Sequence, residues 1–148
     1  MPGPAYKRVL LKLSGQALEP SRGVGIDFRT IDLFCDEIAD AHALGVELGL
    51  VVGGGNIYRG AEGVAQGPDR PTGDYMGMLA TVINALALQA MLENKGVTTR
   101  VMTAIEMRYP SNTIVTFGLA LAGTEVESVG VTIFMTELTS NTATATLL

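Results

Sequence analysis

The chain has 148 residues, which is enough for one domain with a buried core. Its formal net charge of −5 argues against general nucleic-acid binding, because contact with a phosphate backbone needs a basic face. Although 47% of the residues are hydrophobic, no run reaches the roughly 18 apolar residues of a membrane span. The N-terminus lacks a signal-peptide pattern, and Cys35, as a single cysteine, cannot form an internal disulfide. We therefore expect a cytoplasmic protein without a nucleic-acid or membrane partner.

The first half of the chain alternates strand-like and helix-like segments. Residues 6–13 are strand-like, and within them Val9, Leu10, Leu11 and Leu13 form the near-continuous apolar run that is typical of a buried parallel strand. Asp27 is a predicted N-cap for a helix in which apolar residues from Ile31 to Ala41 recur at helical spacing. Gly45 is placed to end that helix, and residues 46–52 predict a second strand.

A second strand–helix–strand unit follows. Residues 60–73 predict a polar loop, and Asp74 is a predicted N-cap for a long second helix that ends at residues 94–96. Residues 97–105 predict a third strand. This β-α-β-loop-α-β order predicts a parallel sheet with helices packed on its faces.

The last forty residues differ in composition from those before them. No lysine or arginine follows Arg108. Residues 113–117 and 129–135 are β-type segments, but the pattern does not fix their order in the sheet.

Three consecutive glycines, Gly53, Gly54 and Gly55, directly follow the second predicted strand. Glycine lets the backbone approach a ligand closely, and a helix beginning just after the run would add an anion site. A tight turn is the alternative, although three glycines exceed what a turn requires. The chain has neither a Walker A nor a G-x-G-x-x-G motif, which argues against a P-loop NTPase and a standard dinucleotide site. Arg59 would reach back to this loop if a helix began near Asn56, and otherwise it is a solvated surface arginine.

Lys12 and Asp74 each have a structural and a functional interpretation. Lys12 stands near the end of an apolar strand, where it either meets an anion in a ligand crevice or extends to water at an edge. From the residues alone, these two interpretations of Lys12 have about equal weight. Asp74 is either a helix cap or an acceptor for a ligand hydroxyl, and one carboxylate can serve both purposes.

Four segments together closely resemble the bacterial uridylate kinases of the amino acid kinase superfamily. They are residues 6–15 (YKRVLLKLSG), 25–27 (GID), 51–60 (VVGGGNIYRG) and 74–89 (DYMGMLATVINALALQ). The resemblance implies Mg²⁺-dependent transfer of the ATP γ-phosphoryl group to UMP, giving UDP. It also implies a homohexamer and the nucleotides GTP or UTP as effectors.

The resemblance also implies a role for individual residues. Lys12 is similar to the catalytic lysine that bridges the transferring phosphoryl group. The residues implied on the ATP and phosphate side are Lys12, Leu13, Ser14, Gly15, Gly55 and Arg59, and those on the UMP side are Gly54 and Asp74. The segment implied in the response to effectors consists of Gly23, Val24, Gly25, Ile26 and Asp27. No residue is implied as a direct metal ligand.

The resemblance covers about residues 6–107, the amino acid kinase-like region with the UMP and phosphate loops. Residues 108–148 do not match the family's continuation and are interpreted as an atypical tail of the same domain, in a truncated or diverged chain. The implied fold is the N-terminal portion of an amino acid kinase, a three-layer αβα sandwich with a mainly parallel sheet. Two alternatives stay open: a carbamate or acylglutamate kinase, against which residues 74–78 argue, and a non-catalytic nucleotide-binding fragment or regulator.

Overall fold

A computed structural model describes residues 3–59, 67, 69–103, 105, 107, 114–116 and 131–135. Most of the predicted polar loop and most of the tail therefore lie outside the described residues. Within them are five strands, β1 (Arg8–Leu13), β2 (Glu47–Val52), β3 (Thr99–Thr103), β4 (Ile114–Thr116) and β5 (Val131–Met135). They also contain a 3₁₀ helix (Gly15–Leu18) and two α-helices, α1 (Phe28–Ala43) and α2 (Arg70–Asn94).

The described strands form one parallel sheet in the order β1-β2-β5-β3-β4. The predicted α/β fold with a parallel sheet is thus confirmed. Both β-type segments of the tail belong to this sheet, and the later one, β5, lies between β2 and β3, where Val131 pairs with both Leu48 and Thr99. Strand β5 is therefore the central strand of the described sheet.

Both α-helices pack on the same face of the sheet. The chain moves in one direction across the sheet from β1 to β2 to β3, so right-handed crossovers place α1 and α2 on one side. The shared core combines residues of the strands with residues of both helices. They are Leu13, Leu48, Leu50, Val52, Val101 and Ile133 from the strands, Ile31, Cys35 and Ile38 from α1, and Ala85, Leu88 and Leu92 from α2. The described residues thus supply the sheet and one helical layer of the predicted sandwich.

Strand β1 differs from the expectation of a fully buried strand. It lies at an edge of the described sheet, and Leu10 and Leu11 are 57% and 37% exposed, whereas Leu13 is buried. An apolar run does not distinguish an edge strand from a central one, because both can bury one face. The prediction of a strand is confirmed, and that of complete burial is wrong.

The ends of α1 are as predicted. The carboxylate of Asp27 accepts hydrogen bonds from the Arg29 backbone N–H at 3.0 Å and from the Thr30 hydroxyl at 3.1 Å. The Arg29 N–H, with the Thr30 hydroxyl second, lowers the pKa of Asp27 below its usual value. Gly45 follows the C-cap residue at φ +84°, the left-handed conformation that favours glycine.

The start of α2 differs from the prediction. Asp69 is the N-cap, and its Oδ1 accepts a hydrogen bond from the Thr72 backbone N–H at 3.3 Å. Pro71, in the first turn, has its φ fixed near the helical value, which favours a helix start here. The helix therefore begins at Arg70, and the prediction that Asp74 caps it is wrong.

Helix α2 is long and apolar enough, by length and composition, to cross a membrane. In this fold it is a core helix, because Leu88 and Leu92 are fully buried against the sheet and α1. The Cys35 thiol of α1 also faces the Leu88 carbonyl oxygen at 3.8 Å. Burial raises the pKa of this thiol to about 11, so Cys35 is a structural residue of the core.

Candidate nucleotide-phosphate site

Two loops meet at the carboxyl ends of β1 and β2. Leu13 pairs with Val52 at the end of the ladder, and the backbone N–H of Gly53 donates to the Leu13 carbonyl oxygen at 3.0 Å. The chain after β1 therefore runs beside the glycine run that follows β2. In parallel α/β sheets this end of the strands is where ligands bind.

Close packing explains why two positions of these loops are glycine. A Cβ built on Gly15 would lie 2.5 Å from the backbone nitrogen of Gly55 and 2.7 Å from Asn56 Oδ1. A Cβ on Gly54 would lie 2.8 Å from both the Ala80 Cβ and the Thr81 backbone nitrogen. Real Cβ atoms do not come this close to backbone, so both positions exclude a side chain.

Gly55 is different, because a Cβ built there would meet no atom of the described residues within 4 Å. Packing between the described residues does not require glycine at this position. Its open side lies at the end of the sheet where a ligand can approach the backbone. The glycine run thus combines a packing glycine, Gly54, with one that leaves room for a bound group.

Lys12 stands on β1 two residues before Ser14. Its side chain is exposed and projects on the sheet face opposite Leu13, away from α1 and α2. Within the described residues its ammonium group makes no ion pair, so a phosphate could approach it. Ser14 caps the 3₁₀ helix, with its Oγ accepting from the Gln16 backbone N–H at 3.3 Å. Solvent exposure at an edge and contact with an anion both fit this geometry.

Arg59 folds back on the glycine run, as expected, but without a helix. Gly55–Ile57 forms a turn, in which the Ile57 and Tyr58 backbone N–H groups donate to the Gly54 carbonyl oxygen at 3.0 and 3.1 Å. Arg59 Nε donates to the Gly55 carbonyl oxygen at 3.1 Å, and its guanidinium lies 3.5 Å from the Glu19 carboxylate. A helix beginning near Asn56 is therefore wrong for the described residues, and the carboxylate of Glu19 is a partner that the sequence did not indicate.

Asp74 lies in the second turn of α2 with its side chain exposed. It precedes Ala80, against which Gly54 packs, by six residues, or about 9 Å along the helix axis at the usual rise per residue. Since Asp69 caps the helix, the carboxylate of Asp74 is not used for capping. Its contact with UMP stays a prediction.

The segment from Gly23 to Asp27 is attached to the glycine run through Asn56. The Gly25 backbone N–H donates to the Asn56 carbonyl oxygen at 2.7 Å, and Asn56 Nδ2 donates back to the Gly25 carbonyl oxygen at 2.7 Å. Gly23 and Gly25 have φ of +93° and +124°, which L side chains rarely adopt. The structure thus brings this segment to the site, and its response to effectors stays a prediction.

Sequence reasoning assigned no role to Asn84, which is fully buried in α2. Its Nδ2 donates to the Gly53 carbonyl oxygen at 2.8 Å and to Asn56 Oδ1 at 2.6 Å. An amide within an otherwise apolar helix segment was the available signal, because a buried amide needs partners. Asn84 therefore connects α2 to the glycine run.

Comparison with known proteins identifies the family. Residues 7–142 match the model of the amino acid kinase family, which extends beyond residue 107, where the motif resemblance ends. The chain is 55% identical to a uridylate kinase of Roseobacter denitrificans over 106 residues, covering 72% of this chain and 44% of that relative.

Two solved structures are similar to this fold. A UMP kinase from Bacillus anthracis gives a TM-score of 0.72 at 35% identity, over 87% of this chain and 52% of that one. A UMP kinase from Ureaplasma parvum gives a TM-score of 0.72 at 32% identity, over 86% of this chain and 55% of that one. The chain thus spans about half the length of these relatives. With a parallel sheet and a glycine loop at its carboxyl end, and a family match over most of its length, the chain belongs to the amino acid kinase family.

Proposed function

We propose that this chain supplies the phosphate-loop half of a UMP kinase, which transfers the γ-phosphoryl group of ATP to UMP and forms UDP for pyrimidine nucleotide biosynthesis. The observation that carries the proposal is the open backbone at Gly55, at the carboxyl ends of β1 and β2. Relatives named uridylate kinase and UMP kinase match 72% to 87% of this chain.

The residues present suit phosphoryl transfer, which depends on positioning and charge neutralisation more than on a covalent nucleophile. The Lys12 ammonium group would neutralise charge on the transferring phosphoryl group. Backbone groups of Leu13, Ser14, Gly15 and Gly55, with the guanidinium of Arg59, would hold the ATP phosphates. Gly54 has no room for a side chain, so its contact with UMP would be through backbone, and Asp74 would accept a hydrogen bond from the ribose.

Mg²⁺ would reach this site bound to the phosphates of ATP. In the part of the chain that the structure describes, no group of three or more histidine, cysteine or acidic side chains could hold a metal ion. Mg²⁺ commonly binds through substrate phosphates, waters and one or two carboxylates, so a protein cage is not required. When bound, the ion would offset the negative charge of the phosphates.

Calorimetry with UMP, run beside a coupled assay for UDP formation from UMP and ATP, tests the proposal. UMP binding and UDP formation together support it. Turnover of carbamate or acylglutamate in place of UMP would instead assign another kinase of the family.

Lys12→Ala should lower the rate of UDP formation on the order of 10²–10³-fold, as expected when a group that stabilises transition-state charge is removed. Lys7→Ala is the matched control, since Lys7 is an exposed lysine just before the same strand. Equal rates for Lys12→Ala and Lys7→Ala would exclude Lys12 from the transfer reaction.

A second candidate is a non-catalytic nucleotide-binding fragment or regulator. The observation that favours it is coverage, because the chain spans 44% to 55% of the relatives' lengths. UMP binding without UDP formation, under conditions where a full-length relative turns over, would support this candidate.

We further propose that the protein is cytoplasmic and associates with copies of itself, as a hexamer by resemblance. Support for self-association comes from α2, where Tyr75, Met76, Leu79 and Ile83 are exposed on one side of the helix. GTP or UTP would act through the segment from Gly23 to Asp27, which is attached to the glycine run by Asn56.

A further inference from the structure

The two buried asparagines behind the glycine run form a closed pair of amides. Asn56 Nδ2 donates to Asn84 Oδ1 at 3.1 Å, and Asn84 Nδ2 donates to Asn56 Oδ1 at 2.6 Å. The second N–H of each amide donates to a backbone carbonyl oxygen, that of Gly25 for Asn56 and that of Gly53 for Asn84. All four side-chain N–H donors and both oxygens are therefore in use.

Both side chains of this pair are buried, so water cannot replace their hydrogen bonds to each other and to the backbone. Asn56 is 2% and Asn84 0% exposed. A buried amide without partners costs free energy, and a fully satisfied buried network fixes the positions of the groups it joins. Neither aspartate, which lacks the donors, nor leucine, which lacks all polar atoms, reproduces this set of bonds.

The pair joins three parts of the chain that meet at the candidate site. Asn84 belongs to α2, Asn56 follows the glycine run, and Gly25 belongs to the segment of residues 23–27. The Gly25 N–H also donates to the Asn56 carbonyl oxygen, so both polar backbone groups of Gly25 are bonded to Asn56. Asn56 Oδ1 further lies 2.7 Å from where a Cβ of Gly15 would stand, directly beneath the loop after β1.

From this geometry we infer that Asn56 and Asn84 are positioning residues, which lock the glycine run to residues 23–27 and hold the Gly55 backbone in its binding geometry. The inference rests on the proposed function for the identity of the nucleotide. The hydrogen bonds between Gly25 and Asn56 link residues 23–27 to the glycine run, so a displacement of residues 23–27 is transmitted to that run. Because both side chains are buried, we expect them to act through the backbone that they hold and not by contact with the nucleotide.

A matched pair of variants tests this role. Asn84→Leu removes one buried amide of α2, and Gln89→Leu removes another, which lies on the same helix but donates to Thr99 O and Glu93 Oε1, each at 3.2 Å. Both variants lose buried hydrogen bonds, and both should lower the melting temperature. UMP affinity is measured by calorimetry well below the melting temperature of each variant. We expect Asn84→Leu to weaken UMP binding by about tenfold or more, equivalent to about 1.4 kcal/mol, and Gln89→Leu to leave it within about twofold.

Limited trypsin digestion of the same proteins gives a readout that does not depend on UMP. Arg22 is exposed beside Gly23, so cleavage after Arg22 reports how firmly residues 23–27 are held. Asn84→Leu and Asn56→Leu should speed this cleavage relative to wild type, whereas Gln89→Leu should not. If Asn84→Leu does not fold, Asn84→Ala takes its place.

The outcomes separate the inference from the proposed function. Wild-type protein that binds no UMP would overturn the proposed function, and cleavage after Arg22 would then decide the positioning role alone. Equal cleavage after Arg22 in Asn84→Leu and Gln89→Leu would overturn the inference, and so would equal UMP affinities of these two variants when wild type binds UMP.

Discussion

At the scale of single residues, the glycine run contains one glycine that packing requires and one that leaves space for a ligand. Gly54 has no space for a Cβ, since the Ala80 Cβ and the Thr81 backbone nitrogen lie 2.8 Å from where it would stand. At Gly55 a Cβ would meet no atom within 4 Å in the part of the chain that the structure describes. Two adjacent glycines therefore have different physical reasons to be glycine, and alanine substitutions distinguish them.

Gly54→Ala should destabilise the fold by about 1–3 kcal/mol, the usual cost of forcing an extra methyl group into packed surroundings. Gly55→Ala should change the free energy of unfolding little, because its methyl group meets no atom of the described residues. Chemical denaturation of both variants measures this difference. If Gly55 lies against the nucleotide as proposed, Gly55→Ala should still weaken UMP binding, and unchanged affinity would place the ligand elsewhere.

Asp27 predicts a pH dependence of stability. Backbone and hydroxyl hydrogen bonds to its carboxylate lower its pKa in the folded state below the ordinary value of 3.8. A depressed carboxylate pKa contributes stability that is present above the unfolded pKa and is lost as the pH falls through the folded one. Asp27→Ala should therefore melt at a lower temperature than wild type at neutral pH, and the gap should close below about pH 4. A gap that is constant across thermal melts from pH 7 to pH 3 would contradict the capping role.

At the scale of elements, Lys95 fastens the end of α2 to α1. Its ammonium group lies 2.7 Å from Asp32 Oδ1 and 2.6 Å from Asp36 Oδ1, two carboxylates four residues apart on α1. The hydrogen bonds that the Lys95 ammonium group donates to Asp32 and Asp36 raise the pKa of Lys95. The stabilisation is therefore fully present at neutral pH and is lost only as the pH rises above the ordinary lysine value of 10.5.

Lys95→Met should lower the melting temperature by a few degrees, because it leaves two like charges facing each other on one turn of α1. The effect should shrink in high salt, which screens exposed charges. Adding Asp36→Asn to Lys95→Met should recover part of the loss. An effect that does not depend on salt would indicate packing by the lysine stem instead.

The sequence predicted the elements of the first half well, and the reasons are local. Asp27, the apolar spacing of α1 and Gly45 act within one helix, so they can be interpreted without the fold. The start of α2 was misplaced because Asp69 and Asp74 are both acceptable caps, and Pro71 at the first turn decides between them. Burial of β1 and the central place of β5 depend on long-range pairing, which periodicity does not encode.

At the candidate site, too, local features could be predicted from the sequence, whereas long-range contacts could not. Lys12, the glycines and Arg59 were singled out from sequence. The structure places Lys12 on β1, and the loops that carry the glycines and Arg59 at the ends of β1 and β2. The Asn56–Asn84 pair had no assigned role, since its partners are 28 residues apart and meet only in the folded chain. Glu19 was missed for a similar reason, because its contact with Arg59 joins two separate loops.

At the scale of the whole molecule, α2 has more apolar surface than the described core covers. No charged residue occurs between Tyr75 and Leu92, yet Tyr75, Leu79 and Ile83 are 60%, 48% and 47% exposed. A helix that is apolar on all sides is normally buried, and an uncharged stripe can meet its own copy without repulsion. The proposed self-association therefore has a defined surface, which we call the α2 stripe: Tyr75, Met76, Leu79 and Ile83.

Ile83→Glu should dissociate the assembly, because it would bury a carboxylate against its own copy at a two-fold contact. Leu33→Glu, at an exposed leucine on α1, is the matched control and should leave the mass unchanged. Size-exclusion chromatography with light scattering measures both. Because the substitution replaces an exposed side chain, the monomer should keep its secondary structure by circular dichroism. A wild-type protein that is monomeric, or an Ile83→Glu variant that keeps the wild-type mass, would contradict association through the α2 stripe.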